Sequence, residues 1–140
     1  MDQRRRFYTL AEANLKVASL EKRFGEVASR VERVRTLEDQ VNDLEIAWGS
    51  KILEESCPER ADYLAYRKEL EEAQESIRAD LASITADGIE VKDLDTGLVD
   101  FYAKRGQEVV FLCWRKGESE IGFWHTLQGG FAGRKPMREF

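Results

Sequence analysis

Apolar residues recur at three- and four-residue spacing from the start of the chain: Leu10, Ala13, Val17, Leu20, Phe24, Val27, Val31 and Val34. Charged residues fill the positions between them. This is a heptad seam on an amphipathic helix. Past Val34 the stripe changes phase. Glu38 falls where a core residue is due, and Leu37, Val41, Leu44 and Trp48 carry the stripe on. A shift of three residues overwinds a coiled coil locally, and a change of packing partner is expected there. Thr9-Leu10-Ala11-Glu12 reads as a capping box, so the helix is expected to begin at about residue 10. Gly49-Ser50 is a candidate break, and Pro58 disfavours helical geometry at Cys57. The first helix is therefore predicted over about 10–56.

A second helix is predicted over about 59–87, with the stripe Tyr63, Tyr66, Leu70, Ala73, Ile77, Leu81 and Ile84, and with Gly88 as its left-handed stop. The short connection makes the two helices antiparallel neighbours. At 1.5 Å per residue they would span roughly 60–70 Å and about 43 Å. The excess length of the first is expected to be covered by a second subunit.

After Gly88 the period becomes two. Strands are predicted at 89–94, 98–103, 108–115 and 120–126, joined by turns at Asp95-Thr96-Gly97, Arg105-Gly106 and Gly117-Glu118. The class is α+β: a coiled-coil-like antiparallel two-helix hairpin, 1–88, followed by a small antiparallel meander of three to four strands with a glycine-rich tail, 89–140, in one folding unit.

Symmetric hairpins assign side chains to two sheet faces. One carries Val99, Phe101, Ala103, Val110, Leu112, Trp114, Ile121, Phe123 and His125, extended by Ile89 and Val91. It is apolar apart from His125 and is expected to pack on the helices. The other carries Leu98, Asp100, Tyr102, Val109, Phe111, Cys113, Arg115, Glu120, Gly122, Trp124 and Thr126. It places Lys92 opposite Asp100 and Arg115 opposite Glu120. Phe131 and Met137 in the tail are expected to cover this second face; otherwise it is a binding surface.

Charge adds one constraint. Residues 1–88 hold 14 basic and 19 acidic side chains, a net of −5, whereas 89–140 hold 8 of each. That balance opposes nonspecific DNA binding, which needs a cationic surface, and RNA stacking on the aromatic sheet face. Arg4-Arg5-Arg6 reads as an unstructured, solvated tail. Cys57 and Cys113 lack metal-ligand spacing, and no apolar run is long enough for a signal peptide or membrane span. Reduced thiols in a cytoplasmic protein are the default expectation.

The fragments FYTLAEAN (7–14), KDLDTGLVDF (92–101), LCWRKGE (112–118) and WHTLQGGFAGRKP (124–136) make the chain resemble the prokaryotic family catalogued as domain of unknown function 2203. The likeness spans nearly the whole chain. It departs from the family pattern at Tyr102, where a Pro commonly follows Asp-Phe, and in having no Pro in the helical turns after Asn14. The resemblance implies the fold and a cytoplasmic setting. It transfers no catalytic residues.

No motif fixes a reaction, and whether the protein is an enzyme is left open. His125, the only histidine, is a candidate base or metal ligand, set against a histidine hydrogen-bonded at the core rim. Cys113 falls on the opposite face from His125 in the symmetric register and reads as a small buried hydrophobe. Asp93–Gly97 resembles a calcium loop but lacks its later glutamate, so it reads as a turn capped by Asp95 with Gly97 at positive φ. Residues 129–136 can hold an anion through glycine amides with Arg134 and Lys135, or fold back as a cover.

The leading expectation is an oligomerising interaction module, a homodimer through the helical seam. The alternative is a protein that binds a small ligand, anion or metal on the meander and tail, through His125, Arg134, Asp100 and Trp124. Nothing in the sequence names a cofactor or a metal, and neither a membrane nor a nucleic acid is expected as partner.

Overall fold

The computed structural model describes residues 5–140. Two helices, α1 (Leu10–Trp48) and α2 (Arg60–Ala86), precede five strands: β1 (Ile89–Asp93), β2 (Leu98–Arg105), β3 (Glu108–Arg115), β4 (Phe123–Thr126) and β5 (Lys135–Pro136). The strands form one antiparallel sheet in the order β1-β2-β3-β4-β5. The class is α+β, with a short fifth strand added from the tail.

The capping box is formed. The Thr9 amide donates to Glu12 Oε1 at 2.8 Å, and the Glu12 amide donates to Thr9 Oγ1 at 3.1 Å. α1 stops at Trp48, earlier than residue 56, because Gly49 takes φ +58° and leads into a 3₁₀ turn over Gly49–Leu53. Gly88 takes φ +81° just past α2, as its stop role requires.

The chain divides into two compact units. One, residues 26–80, is the helical hairpin tip. Its core joins Val41, Ile52, Cys57 and Tyr63, with Leu44, Trp48, Tyr66 and Leu70 packed against them. Tyr63 donates its hydroxyl to Glu45 at 2.7 Å, and Arg33 grips Glu69 through Nε and Nη2.

Among the described residues, the other unit comprises 5–25 and 81–140. There the α1 residues Ala13, Val17, Leu20 and Phe24 join Ile84, Ile89 and the inner sheet face: Val99, Phe101, Ala103, Val110, Leu112, Trp114 and Trp124. The α1 seam is thus covered within the chain at both ends. The phase shift is real, since Leu37 is buried while Glu38 is exposed.

Arg5 and Arg6 are solvent-exposed, as expected, but each is held on an aromatic ring and not left as a loose tail. The Arg5 guanidinium lies 4.3 Å over the Tyr102 ring, and Arg6 lies 4.4 Å over Tyr8. Arg4 lies outside the described residues. Tyr8 anchors the segment: its amide donates to the Tyr102 carbonyl at 2.7 Å, and its hydroxyl to the Asp87 carbonyl at 2.5 Å.

Two register expectations fail. In the first hairpin Glu90, not Lys92, faces Asp100: the turn already sets Asp93 against Leu98, and an irregularity between Val91 and Asp93 moves the pairing by one residue more. Lys92 instead pairs with Glu90 at 2.5 Å. The turn there is capped by Asp93, which accepts from the Asp95 amide at 3.0 Å; Gly97 has the expected positive φ, +69°.

The second failure has larger consequences. Phe111 faces His125, Leu112 faces Trp124 and Cys113 faces Phe123. Symmetric closure at Gly117-Glu118 would differ by one residue, and a one-residue slip exchanges the faces of a whole strand. The reason is the connection, a loop over 116–122 instead of a tight turn. Trp114 Nε1 donates to the Glu118 carbonyl at 2.9 Å, and the Arg115 amide donates to Glu118 Oε1 at 2.7 Å. The Ile121 amide donates to Asn14 Oδ1 at 2.7 Å, which seats Ile121 in the core without a place in the strand. Glu120 is therefore in the loop, and Arg115 faces Leu98.

The tail folds back as a cover. β5 pairs with β4, Met137 packs on the inner core, and Phe140 meets Trp124 edge-on at 5.6 Å. Phe131 lies on the outer face, so the tail serves both sides. Among the described residues, no helix is long and apolar enough to cross a membrane.

Candidate functional site

The slip in β4 builds the site. It places His125 on the outer sheet face beside Asp100 from β2 and Cys113 from β3. Asp100 and Cys113 are direct cross-strand partners. His125 Nε2 lies 3.0 and 3.1 Å from the two Asp100 carboxylate oxygens. Asp100 and His125 are only 3% and 2% exposed, and Cys113 is fully buried. The expectation that Asp100 and Cys113 lie on the face opposite His125 is overturned.

The hydrogen positions follow from the partners. His125 Nδ1 lies 2.7 Å from the Thr126 carbonyl oxygen. A carbonyl can only accept, so Nδ1 carries its hydrogen. Nε2 then meets a carboxylate across a single shared proton, held either as imidazolium-carboxylate or as neutral imidazole and carboxylic acid. Both forms are neutral as a pair, which is how two titratable groups tolerate this depth.

Burial pushes the Asp100 carboxyl above the ordinary aspartate range, and the neighbouring His125, the Cys113 thiol and Lys92 pull it partly back. Burial, reinforced by the Asp100 charge, pushes the Cys113 thiol up to about 12. The thiol is protonated at neutral pH and hydrogen-bonds to Asp100. It is no thiolate nucleophile. Nor is there a free base to activate it, because both His125 nitrogens are engaged. A hydrolytic Cys-His-Asp relay needs one imidazole nitrogen facing the nucleophile, and this arrangement does not offer it.

Above the cluster lies a cavity of about 260 Å³. Asp100, Cys113 and His125 line it, together with Leu98, Phe111, Leu127 and Phe131 as apolar wall, Lys92 and Gly130. The Lys92 ammonium sits 5.0 Å from the Phe111 ring centre. Its hydrogen bond to Glu90 raises its pKa and keeps it cationic.

Of the residues expected from sequence, His125 and Asp100 meet. Arg134 stands one step back. Its Nη2 donates to both Glu118 oxygens at 2.8 and 2.9 Å, and its guanidinium covers Phe123 at 4.0 Å and Phe131 at 4.7 Å. It props the cavity wall at Phe131 without lining the cavity. Trp124 is not part of the site; the slip turns it into the inner core, and Phe123 takes the outer face. Cys113, Lys92 and Phe131 are additions. Only the parity of the β3–β4 register separates Cys113 as a site residue from Cys113 as filler.

A family model described as "Uncharacterized conserved protein (DUF2203)" matches residues 6–137. The chain belongs to this family. The match covers both helices, all five strands and every residue of the cluster, and it assigns no activity. No curated protein and no solved structure matches the chain.

Proposed function

We propose that the protein binds a small molecule in the outer-face cavity, with Asp100 and His125 reading its polar end. One observation carries this reading: two titratable side chains, almost fully buried, form the floor of a cavity with apolar walls. Buried ionisable groups are costly to keep in a fold, and they concentrate where a ligand is handled. A concave, mostly apolar site with a few convergent polar groups is the usual form of a small-molecule site. The volume lies below the roughly 300–1,000 Å³ of drug-sized pockets, so the ligand is small. Leu98, Phe111, Leu127 and Phe131 favour an apolar body. The Asp100–His125 pair and Lys92 favour a head that accepts or exchanges hydrogen bonds.

The competing reading, an oligomerising module, has less support: the far part of α1, which a second subunit is expected to cover, has Leu37 and Val41 buried within the chain. The apolar residues that α1 leaves exposed, such as Leu15 and Ile46, are scattered singly, which is ordinary for a soluble surface.

The test is amide NMR of the full chain against a set of small carboxylic acids and amides with apolar bodies. Shifts are expected at Leu98, Asp100, Leu127, Gly130 and Phe131. Leu127→Trp, which fills the cavity from a residue 41% exposed, is expected to abolish them without lowering the melting temperature. Shifts spread elsewhere, or undiminished in the filled variant, would defeat the reading.

A further inference from the structure

The cluster on the cavity floor has the composition of a metal site. One carboxylate oxygen of Asp100, Sγ of Cys113 and a ring nitrogen of His125 all lie within 4.8 Å of one another. Around a tetrahedral zinc with bonds of 2.0–2.3 Å, ligand atoms stand roughly 3.5 Å apart. The Asp100–His125 contact at 3.0 Å is a little shorter than that. The wider separations, up to 4.8 Å, would shorten toward that spacing around an ion.

The donor set is selective. Sulfur and imidazole nitrogen favour zinc-like first-row ions over calcium and magnesium, which take oxygen shells. A second feature points the same way. The Nδ1–H to Thr126 carbonyl bond at 2.7 Å keeps the hydrogen on Nδ1, so Nε2, which faces Asp100, is the nitrogen able to ligate once the shared proton leaves. That outer bond to a backbone carbonyl is what metal-ligating histidines characteristically make. The three ligands also sit on three adjacent strands, so the backbone holds them in place before any ion arrives.

We propose that Asp100, Cys113 and His125 bind one divalent transition-metal ion of the zinc type, with its open coordination position facing the cavity. Three protein ligands and one open position are the pattern of a reactive zinc centre, not of a closed structural one. The inference deepens the small-molecule reading and rests on it for what occupies the open position. Binding releases two protons to solvent. One leaves Sγ of Cys113, and the other is the proton shared between Asp100 and Nε2 of His125. Nδ1 keeps its hydrogen on Thr126.

Tag-free full-length protein, stripped with chelator, is titrated with Co²⁺ and then Zn²⁺. One equivalent of Co²⁺ is expected to give a sulfur-to-cobalt charge-transfer band that Zn²⁺ bleaches. Cys113→Ser is expected to lose the band and weaken Co²⁺ binding by at least about 100-fold, beyond the 10–100-fold typical of losing an outer-shell partner. Asp100→Asn is expected to keep the band with weakened affinity. The inference is overturned if the wild type shows no band, or if Cys113→Ser binds Co²⁺ as tightly as the wild type. Should a variant fail to fold by circular dichroism, the wild-type spectrum decides alone. Amide shifts with the small-acid set in chelator would leave the pocket standing when metal binding fails. Absence of both removes both readings.

Discussion

At the scale of single residues, the Asp100–His125 pair dominates. Removing either partner leaves the other buried without its counterpart, which costs about 3 kcal/mol. Asp100→Ala and His125→Ala are each expected to lower unfolding free energy by about that much in urea. The double variant is expected to lose much less than the sum, because the second removal deletes an already orphaned group. Additive losses would show that the two groups are not coupled.

Tyr8 supplies a pH effect. Burial raises its phenol above the ordinary value of 10.0, with Arg6 opposing and Asp87 reinforcing the shift. A group whose folded pKa is raised gives stability that is complete below the unfolded value and is lost as pH rises through the folded one. Wild-type stability is therefore expected to fall above pH 10, where the phenolate can no longer donate to the Asp87 carbonyl. Tyr8→Phe is expected to show a shallower alkaline loss in melting scans. Identical slopes would remove Tyr8 as a contributor.

At the scale of elements, two glycines separate sterics from helix propensity. Gly25 sits inside α1 with nothing within 4 Å of where a Cβ would stand. Gly25→Ala is expected to stabilise by about 0.5–1 kcal/mol. Gly97 combines φ +69° with a Cβ position only 2.7 Å from Lys116 Cβ. Gly97→Ala is expected to destabilise by more than the roughly 1 kcal/mol of left-handed strain alone, because Lys116 must also move. Chemical denaturation of the two variants gives opposite signs if these local readings hold.

The element scale is also where legibility changes. Both helices, their stripes, the capping box and the phase shift at Leu37 could be read directly, because helical periodicity and capping are local. The strands could be placed to within a few residues. The pairing of β3 with β4 could not be read, because Gly117-Glu118 looks like a tight turn. The longer loop is held in part by the hydrogen bond from Ile121 to Asn14, 107 residues earlier. His125 and Asp100 were visible as suspects, but their contact was hidden by that one-residue slip.

At the scale of the whole molecule, each compact unit has its own hydrophobic cluster and its own tryptophan environment. Trp114 and Trp124 are almost fully buried in the unit containing the sheet, while Trp48 is half-buried in the helical tip. Acrylamide is expected to quench mainly Trp48. Trp48→Phe is expected to remove most of the quenchable emission, and Trp124→Phe little of it. Strong quenching of Trp124 would place it back on the outer face and undo the observed register. The acidic excess of residues 1–88 is partly taken up in exposed ion pairs, such as Arg33 with Glu69, which solvent screens strongly. Those pairs tune the helical surface and do not hold the hairpin together.

By itself the sequence determined the elements: two amphipathic helices, a β-meander and a glycine-rich tail. Those follow from periodicity, caps and turn residues, all of which act over a few positions. Only the tertiary structure decided which face of β4 looks outward, and with it the meeting of Asp100, Cys113 and His125. Side chains alternate along a strand, so a single residue of loop length reverses every assignment. That length was set by contacts between the 116–122 loop and α1, far away along the chain.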